Sequence, residues 1–459
     1  MGRRHKRDGV MAVHRVRKML GSLAVLGALA VLAACTSPSS PSSTFNTPAP
    51  PPATLVFNHD ADAKDVSPGD PVVVQVQDGT LETVSLTSNL GEVKGALSPD
   101  RSTWQSTDDL DYGKTYTIKV SSMGADGKPV EETRTFSTVS VKTGYYWDVS
   151  FVASKYYGVV LNGGTFGVGQ PIVAQFTDTV DKAIAESTLK VTTVPAVEGS
   201  WHWINSREAH WRPKEYWQPG TKVTVEAKIL GVSLVSPSGK RTLWGHFNKT
   251  ATFTIGQSKI AKVDNTTHQM KVYIDGKLTR TIPVSMGREG LSPPDSNGVR
   301  HNWNTTSGTF VVTEKKNPVI MTPAGLDPIK DGPKGTGLYY EDTVYYAVRI
   351  TDYGEYVHSA PWSEGSQGHT NVSHGCVNIN HIDAPWFYKT FGPGDVVQIS
   401  HTKASVDVNA VGKERALDDG LADWSMSWDD WVKGSALPHT APTTPAPTVS
   451  ATPSATASA

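Results

Sequence analysis

Between Thr54 and Ile255 the chain writes one pattern twice, and this repetition limits its architecture more than any other feature. Ser67-Pro68-Gly69-Asp70-Pro71-Val72-Val73-Val74-Gln75-Val76 is answered by Gly169-Gln170-Pro171-Ile172-Val173-Ala174-Gln175-Phe176. Ser102-Thr103-Trp104 and then Tyr112-Gly113-Lys114-Thr115-Tyr116-Thr117-Ile118 are answered by Ala209-His210-Trp211 and Pro219-Gly220-Thr221-Lys222-Val223-Thr224-Val225. Thr135-Phe136-Ser137 closes the first copy and Thr252-Phe253-Thr254 the second. The offset widens from 171 − 71 = 100 to 211 − 104 = 107 and 253 − 136 = 117, as loop insertions in the second copy would produce. Alternating β-branched runs, broken by Gly, Pro and Asp turns about every ten residues, specify antiparallel sandwiches. The chain is therefore expected to be mainly β, with two tandem immunoglobulin-like sandwiches at 54–140 and 141–257. Trp201, Trp203, Trp211 and Trp217 of the second are read as core or interface ahead of a sugar-stacking surface.

From Ser258 the strands continue with longer loops. The runs 259–263 and 269–274 flank Asp264-Asn265-Thr266-Thr267 and predict a hairpin. Residues 321–340 read as a long loop or lid, the kind of segment where function concentrates. The clearest helix is 384–391, with Asp383 as cap, Pro385 in its first turn and Gly392 as its stop. A closing strand is expected at 394–399, completing a β-rich domain at 258–401. Trp424, Trp428 and Trp431 recur at i, i+4 and i+7. That spacing predicts one helical face, packed back onto a neighbouring domain, within a Trp-rich segment at 402–437.

The two ends differ in kind. Residues 1–35 begin with Arg3, Arg4, Lys6 and Arg7 and continue into an apolar run at 19–32, too short to span a bilayer comfortably. They read as an export signal closing on Leu32-Ala33-Ala34-Cys35. The Ser/Pro/Thr/Ala stretch 36–53 is expected to act as a stiff spacer, on the order of 50 Å if extended. A similar tail, 438–459, likewise lacks the residues to bury a core. Lys+Arg 43 against Asp+Glu 44 leaves no bulk charge to recruit nucleic acid.

The chain has 2 cysteines. With Cys35 spent on the signal, Cys376 has no partner for an internal disulfide. It lies in Ser373-His374-Gly375-Cys376-Val377-Asn378, and His358-Ser359 stands 376 − 358 = 18 residues upstream. A thiol near its ordinary pKa of about 8.5 is only a few per cent ionised at neutral pH. A histidine within reach takes that proton, giving a thiolate–imidazolium pair, and a backbone carbonyl or Ser359 fixes the imidazole tautomer. Gly375 lets the backbone approach a substrate, with the N–H groups of Gly375 and Cys376 aimed at an acyl oxyanion. The competing readings are a buried small hydrophobe and a zinc site drawn from His358, His369, His374 and Cys376, which lacks an i, i+4 histidine pair.

His358-Ser359-Ala360-Pro361-Trp362-Ser363, followed by Ser373-His374-Gly375-Cys376-Val377-Asn378, resembles the signature of the L,D-transpeptidases of bacterial cell-wall synthesis. Leu32-Ala33-Ala34-Cys35 resembles a lipoprotein lipobox. The resemblance covers most of the chain, sandwiches and Trp-rich segment included. It implies an acyltransferase without metal or organic cofactor. The cysteine attacks the tetrapeptide stem of peptidoglycan at the L-centre of diaminopimelate, expels D-alanine, and passes the acyl group to the side-chain amine of a second stem, giving a 3→3 crosslink. It further implies Cys376 as nucleophile, His358 as general base, and Ser359 orienting that base through its backbone oxygen. His374 and Gly375 would shape the oxyanion side, Tyr340, Tyr353, Gly354, Trp362 and Asn378 the substrate pocket, and Met321 the lid. Lipid on Cys35 would anchor a monomer to the outer face of the membrane, within reach of the wall. Asn378 (arginine in many members), the bulk of Tyr353 and the Pro/Gly/Lys-rich 322–337 depart from the common pattern. The alternatives are an L,D-carboxypeptidase, in which water resolves the thioester, and a non-catalytic wall-binding lipoprotein. Papain-like enzymes place cysteine before histidine; sortases place histidine first, but much further upstream and with an arginine shortly after the cysteine, which this chain lacks.

Overall fold

The repeat in the sequence is a repeat in hydrogen-bonded topology. Val73–Gln77 lies between Thr54–Phe57 and Thr103–Ser106, and Ile172–Phe176 lies between Val149–Val152 and Glu208–Pro213. Val74 faces Trp104 across the first pair and Ile172 faces Trp211 across the second. In the opposing sheets Tyr116 pairs with Phe136, and Val223 with Phe253. Each tryptophan lies on a glycine of the next strand. A Cβ at Gly95 would meet Trp104 Cζ2 at 2.1 Å, and one at Gly199 would meet Trp211 Cζ2 at 2.0 Å. Trp201, Trp203, Trp211 and Trp217 are all at most 6% exposed and belong to one core cluster, so none of them forms a sugar platform. The computed structural model describes residues 49–154, 160–236, 238–323 and 325–439; Cys35, the export signal and most of the spacer and tail lie outside them.

Beyond the sandwiches, a six-stranded sheet runs in the order Lys277–Pro283, Gln269–Ile274, Lys259–Asp264, Val396–Ser400, Thr306–Val311, Ala404–Ser405. The expected hairpin is present, in register from Lys259↔Ile274 to Asp264↔Gln269. The expected closing strand runs parallel to Lys259–Asp264. A second sheet places Glu314–Lys316 and Val319–Met321 along Asp342–Arg349, followed by Tyr356–Ser359 and Val377–Ile379. Val272, Phe310, Val357, Val377, Phe387 and Val397 fill the space between the sheets and the helix. Each such side chain contributes roughly 1.5–3 kcal/mol of burial.

That helix is Asp383–Thr390, and Asp383 is not its cap. The carboxylate of Asp383 instead accepts from Arg280 Nη1 at 2.6 Å and Asn380 Nδ2 at 2.7 Å. Asn380 Oδ1 takes the first amides, from Ile382 at 3.0 Å and Asp383 at 2.8 Å. A cationic partner on a neighbouring strand outcompetes the local cap.

The three C-terminal tryptophans do not share a helix. A 3₁₀ turn, Asp423–Ser425, and a short helix, Trp428–Trp431, are separated by Met426 and by Ser427, whose Oγ caps the helix by accepting from Asp430 N at 3.2 Å. The rings converge on the buried guanidinium of Arg212, at 4.6 Å (Trp424), 5.5 Å (Trp428) and 4.5 Å (Trp431) from their centroids. Packing onto the second sandwich is as expected: Trp431 Nε1 donates to Ser200 O at 2.9 Å, and His210 bridges Glu208 and Asp423 at 2.9 Å each. The same sandwich meets the last sheet through Gly167 N to Pro393 O (3.0 Å) and Gly169 N to Gly394 O (2.9 Å). Among the described residues no helix is long and apolar enough to cross a membrane.

Candidate active site

The parallel register of Tyr356–Ser359 with Val377–Ile379 pairs His358 with Asn378. Side chains two apart along a strand share a face, so Cys376, one step before its strand, projects to the same side as Asn378 and His358. All three line a cavity of about 530 Å³, together with Met321, Tyr340, Tyr353, Gly354, Trp362, His374 and Gly375. Ser359 reaches the site through its backbone alone. Its carbonyl oxygen lies 2.9 Å from His358 Nδ1. A carbonyl only accepts, so His358 carries its proton on Nδ1 and keeps a lone pair on Nε2.

Burial pushes His358 down to about 4, against the pull of that hydrogen bond and of Asp342. Burial also pushes the Cys376 thiol up to about 12; the charge of Glu355 adds to it and Arg349 opposes it. Sγ points to Gly354 O, 3.6 Å away. Burial thus favours the neutral thiol and imidazole over the thiolate–imidazolium pair expected from sequence. The cause is desolvation: each charge loses water before it gains the other.

The oxyanion side also differs from expectation. Gly375 N–H donates to Ser373 Oγ at 3.1 Å, while Ser373 Oγ donates to Cys376 O at 2.6 Å, so the Gly375 amide is already engaged. The turn runs through φ +136° at Gly375, a conformation that glycine adopts at no steric cost. His374 stacks on Tyr340 at 4.7 Å, meets Trp303 edge-on at 5.4 Å and touches Arg288. Burial and then Arg288 hold it down to about 4, so it too is neutral. Asn378 is buried and donates Nδ2 to Ser363 Oγ at 3.1 Å, leaving its Oδ1 unpartnered. Trp362 stands 62% exposed at the mouth, with its ring 6.1 Å from that of His358. Neither His369 nor His381 lines the cavity, and His381 pairs with Glu364 at 2.6 Å. Among the described residues no three His, Cys, Asp or Glu are grouped to hold a metal ion.

Residues 63–233 match the family described as bacterial Ig domain, and residues 258–399 the L,D-transpeptidase catalytic domain. L,D-transpeptidase 2 of Mycobacterium tuberculosis is 35% identical over 368 residues, covering 80% of this chain and 81% of the relative. The chain belongs to the L,D-transpeptidase family. L,D-transpeptidase 5 of the same species is 34% identical over 399 residues, covering 85% of this chain and 78% of its own. A solved L,D-transpeptidase from Mycobacterium smegmatis is 28% identical, with a TM-score of 0.40, covering 55% of this chain and 99% of its own.

Several residues of this transpeptidase's cavity escaped the sequence reading. Trp303, Glu355, Arg415 and Asp419 all line it. Asp419 Oδ1 accepts from Asp352 N (2.7 Å) and Tyr353 N (3.2 Å), and Arg415 Nη2 donates to Asn302 O and Asn304 O, both at 3.2 Å. Tyr353, bulky and half exposed, donates its hydroxyl to Gly412 O at 3.0 Å. The segment that follows the last sheet thus braces two loops of the cavity wall. A charged residue between Gly354 and the apolar Tyr356-Val357 was the one signal available for Glu355.

Proposed function

We propose that this transpeptidase forms 3→3 crosslinks between diaminopimelate residues through a thioester on Cys376. The observation that carries the reading is the Nδ1–H tautomer of His358, which presents Nε2 as a base on the face shared with Cys376. His358 Nε2 takes the thiol proton as Sγ attacks the L-centre carbonyl of the donor's diaminopimelate. The tetrahedral intermediate collapses as His358 returns that proton to the amine of departing D-alanine. The side-chain amine of an acceptor stem then attacks the thioester and gives its proton to His358, which returns it to the released thiolate. With thiol and imidazole both favoured in their neutral forms, proton transfer concerted with attack is the economical route.

We assign the oxyanion to the Cys376 amide, with His374 beside it, because the Gly375 amide is engaged. Tyr340, Tyr353, Gly354, Trp362, Asn378 and Met321 bind the donor stem; the unpartnered Oδ1 of Asn378 suits a stem amide N–H. A lipid on Cys35 and the spacer 36–53 hold a monomer at the outer face of the membrane. The sandwiches, taken as 54–140 and 141–257, carry the 258–401 domain, with its 402–437 segment, toward the wall. Incubation of the full-length protein with disaccharide tetrapeptide, read by mass spectrometry, tests the reading. Dimers lacking one D-alanine are expected, and none from Cys376→Ala. Tripeptide without dimers would instead establish a carboxypeptidase.

A further inference from the structure

Glu355 is a half-buried carboxyl in the wall of the catalytic cavity, on the residue after Gly354, whose carbonyl receives Sγ. Its Oε1 accepts twice from Thr306, from N at 2.9 Å and from Oγ1 at 3.0 Å. Its Oε2 is inaccessible to water and has no hydrogen-bond partner. The same carboxyl flanks the cysteine turn, with Oε1 3.7 Å from where a Cβ on Gly375 would lie. Since Oε1 is committed as an acceptor, a proton on this carboxyl belongs on Oε2. Without that proton, Oε2 would hold negative charge with neither water nor a donor to meet it.

The charged groups around Glu355 come from three sides. Arg415 and Asp419 belong to the C-terminal segment, Cys376 to the signature turn, and Arg349, which acts on Cys376, to the strand Asp342–Arg349. Burial raises Glu355 to about 8; Arg415 and the Thr306 amide oppose the rise and Asp419 adds to it. The coupling appears from the other side as well, since after burial the charge of Glu355 is the main influence raising the Cys376 thiol.

We propose that Glu355 is a positioning residue that governs when Cys376 can ionise. With its carboxyl neutral the thiol is free to pass its proton to His358, and with its carboxylate formed the thiolate meets a like charge across the turn. The step balances within the site: the Sγ–H bond breaks as an Nε2–H bond forms, while the Glu355 proton stays on Oε2. The inference rests on the reading of Cys376 as nucleophile. It adds a chain-borne brake on that nucleophile at alkaline pH, held in place by Thr306 and acted on by the charges of Arg415 and Asp419.

The test is the rate of alkylation of Cys376 by iodoacetamide, followed on the full-length protein by peptide mapping between about pH 6 and pH 10. For coupled groups the wild-type rate climbs about tenfold per pH unit, sags where Glu355 loses its proton, and resumes on a parallel line about threefold lower. Glu355→Gln keeps an acceptor for Thr306 but no charge. Its rate should climb without a sag, and the ratio of variant to wild type should grow from about one at pH 6 to about three at pH 9. A wild-type profile without a sag overturns the proposal, as does a constant ratio across the range. If Glu355→Gln does not fold, the wild-type profile alone decides. Alkylation does not read crosslinking, so a negative result here leaves the transpeptidase reading intact. Crosslinking by Cys376→Ala would overturn that reading without touching the alkylation profile.

Discussion

His358 donates its Nδ1 proton to the main-chain oxygen of Ser359, 2.9 Å away, and so offers Nε2 to the cavity as a base. The partner is a backbone atom, and the serine hydroxyl takes no part in the bond. Ser359→Ala should therefore retain crosslinking within about threefold of wild type. His358→Gln, which removes the proposed base, should lose on the order of 10²–10⁴-fold in kcat/KM. Initial rates with disaccharide tetrapeptide check both; a loss in Ser359→Ala as large as that in His358→Gln would contradict a main-chain role.

Acid should inhibit late. His358 sits near 4 because burial disfavours its charged form, so Nε2 stays unprotonated through the range in which an exposed histidine would titrate. As pH falls, kcat/KM should hold until about pH 4 to 5 and then drop as the imidazole takes its proton. An acid limb centred near 6.5, the ordinary value for histidine, would show that the base is solvated in the working enzyme.

The Trp-rich segment is latched by charge. Burial opposes the charge on His210, but Asp423 and Glu208 together outweigh it and raise the imidazole to about 10. The folded value lies above the unfolded value of about 6.5. Its stabilisation is therefore complete below about 6.5 and fades as pH rises toward 10. Removing one partner of a buried ion cluster costs roughly 3–5 kcal/mol, so His210→Gln should lower the melting temperature clearly at pH 6.5. The gap to wild type should narrow by pH 10; a gap independent of pH would mean that His210 is neutral in the fold.

Gly95 and Gly199 are matched sites. A methyl group at either would press on the indole of Trp104 or Trp211. Gly95→Ala and Gly199→Ala should each destabilise by about 1–3 kcal/mol, as overpacking does. Denaturant unfolding followed by tryptophan fluorescence measures the loss, and an unchanged midpoint for both would contradict the packing described.

What the sequence made legible followed from periodicity and from tight motifs. The strands that carry Val74, Trp104, Ile172 and Trp211, the hairpin at Asp264 and the helix before Gly392 were all visible as alternation, turn chemistry or a stop. The contributions of Gly95 and Gly199 were not, because a glycine under an indole leaves no period. Asp383 was read as a cap because nothing local announces Arg280, 103 residues away in sequence. The Trp424, Trp428 and Trp431 spacing suggested a helix, but a guanidinium from another domain gathers those rings across a 3₁₀ turn and a short helix. At the site, the signature brought Cys376 and His358 to notice. Arg415 and Asp419 share the cavity only because the C-terminal segment folds back against it, a long-range contact with no motif, and Glu355 had only its charge beside Gly354 to mark it.

The proposed mechanism requires an acyl group carried on Cys376. Intact-mass spectrometry of the full-length protein, quenched in acid within seconds of mixing with disaccharide tetrapeptide and then mapped by proteolysis, tests it most directly. The predicted result is an adduct equal to the donor minus D-alanine, confined to the peptide bearing Cys376, discharged on adding acceptor and absent from Cys376→Ala. Crosslinked product formed with no adduct on Cys376, or an adduct that survives Cys376→Ala, would contradict the account.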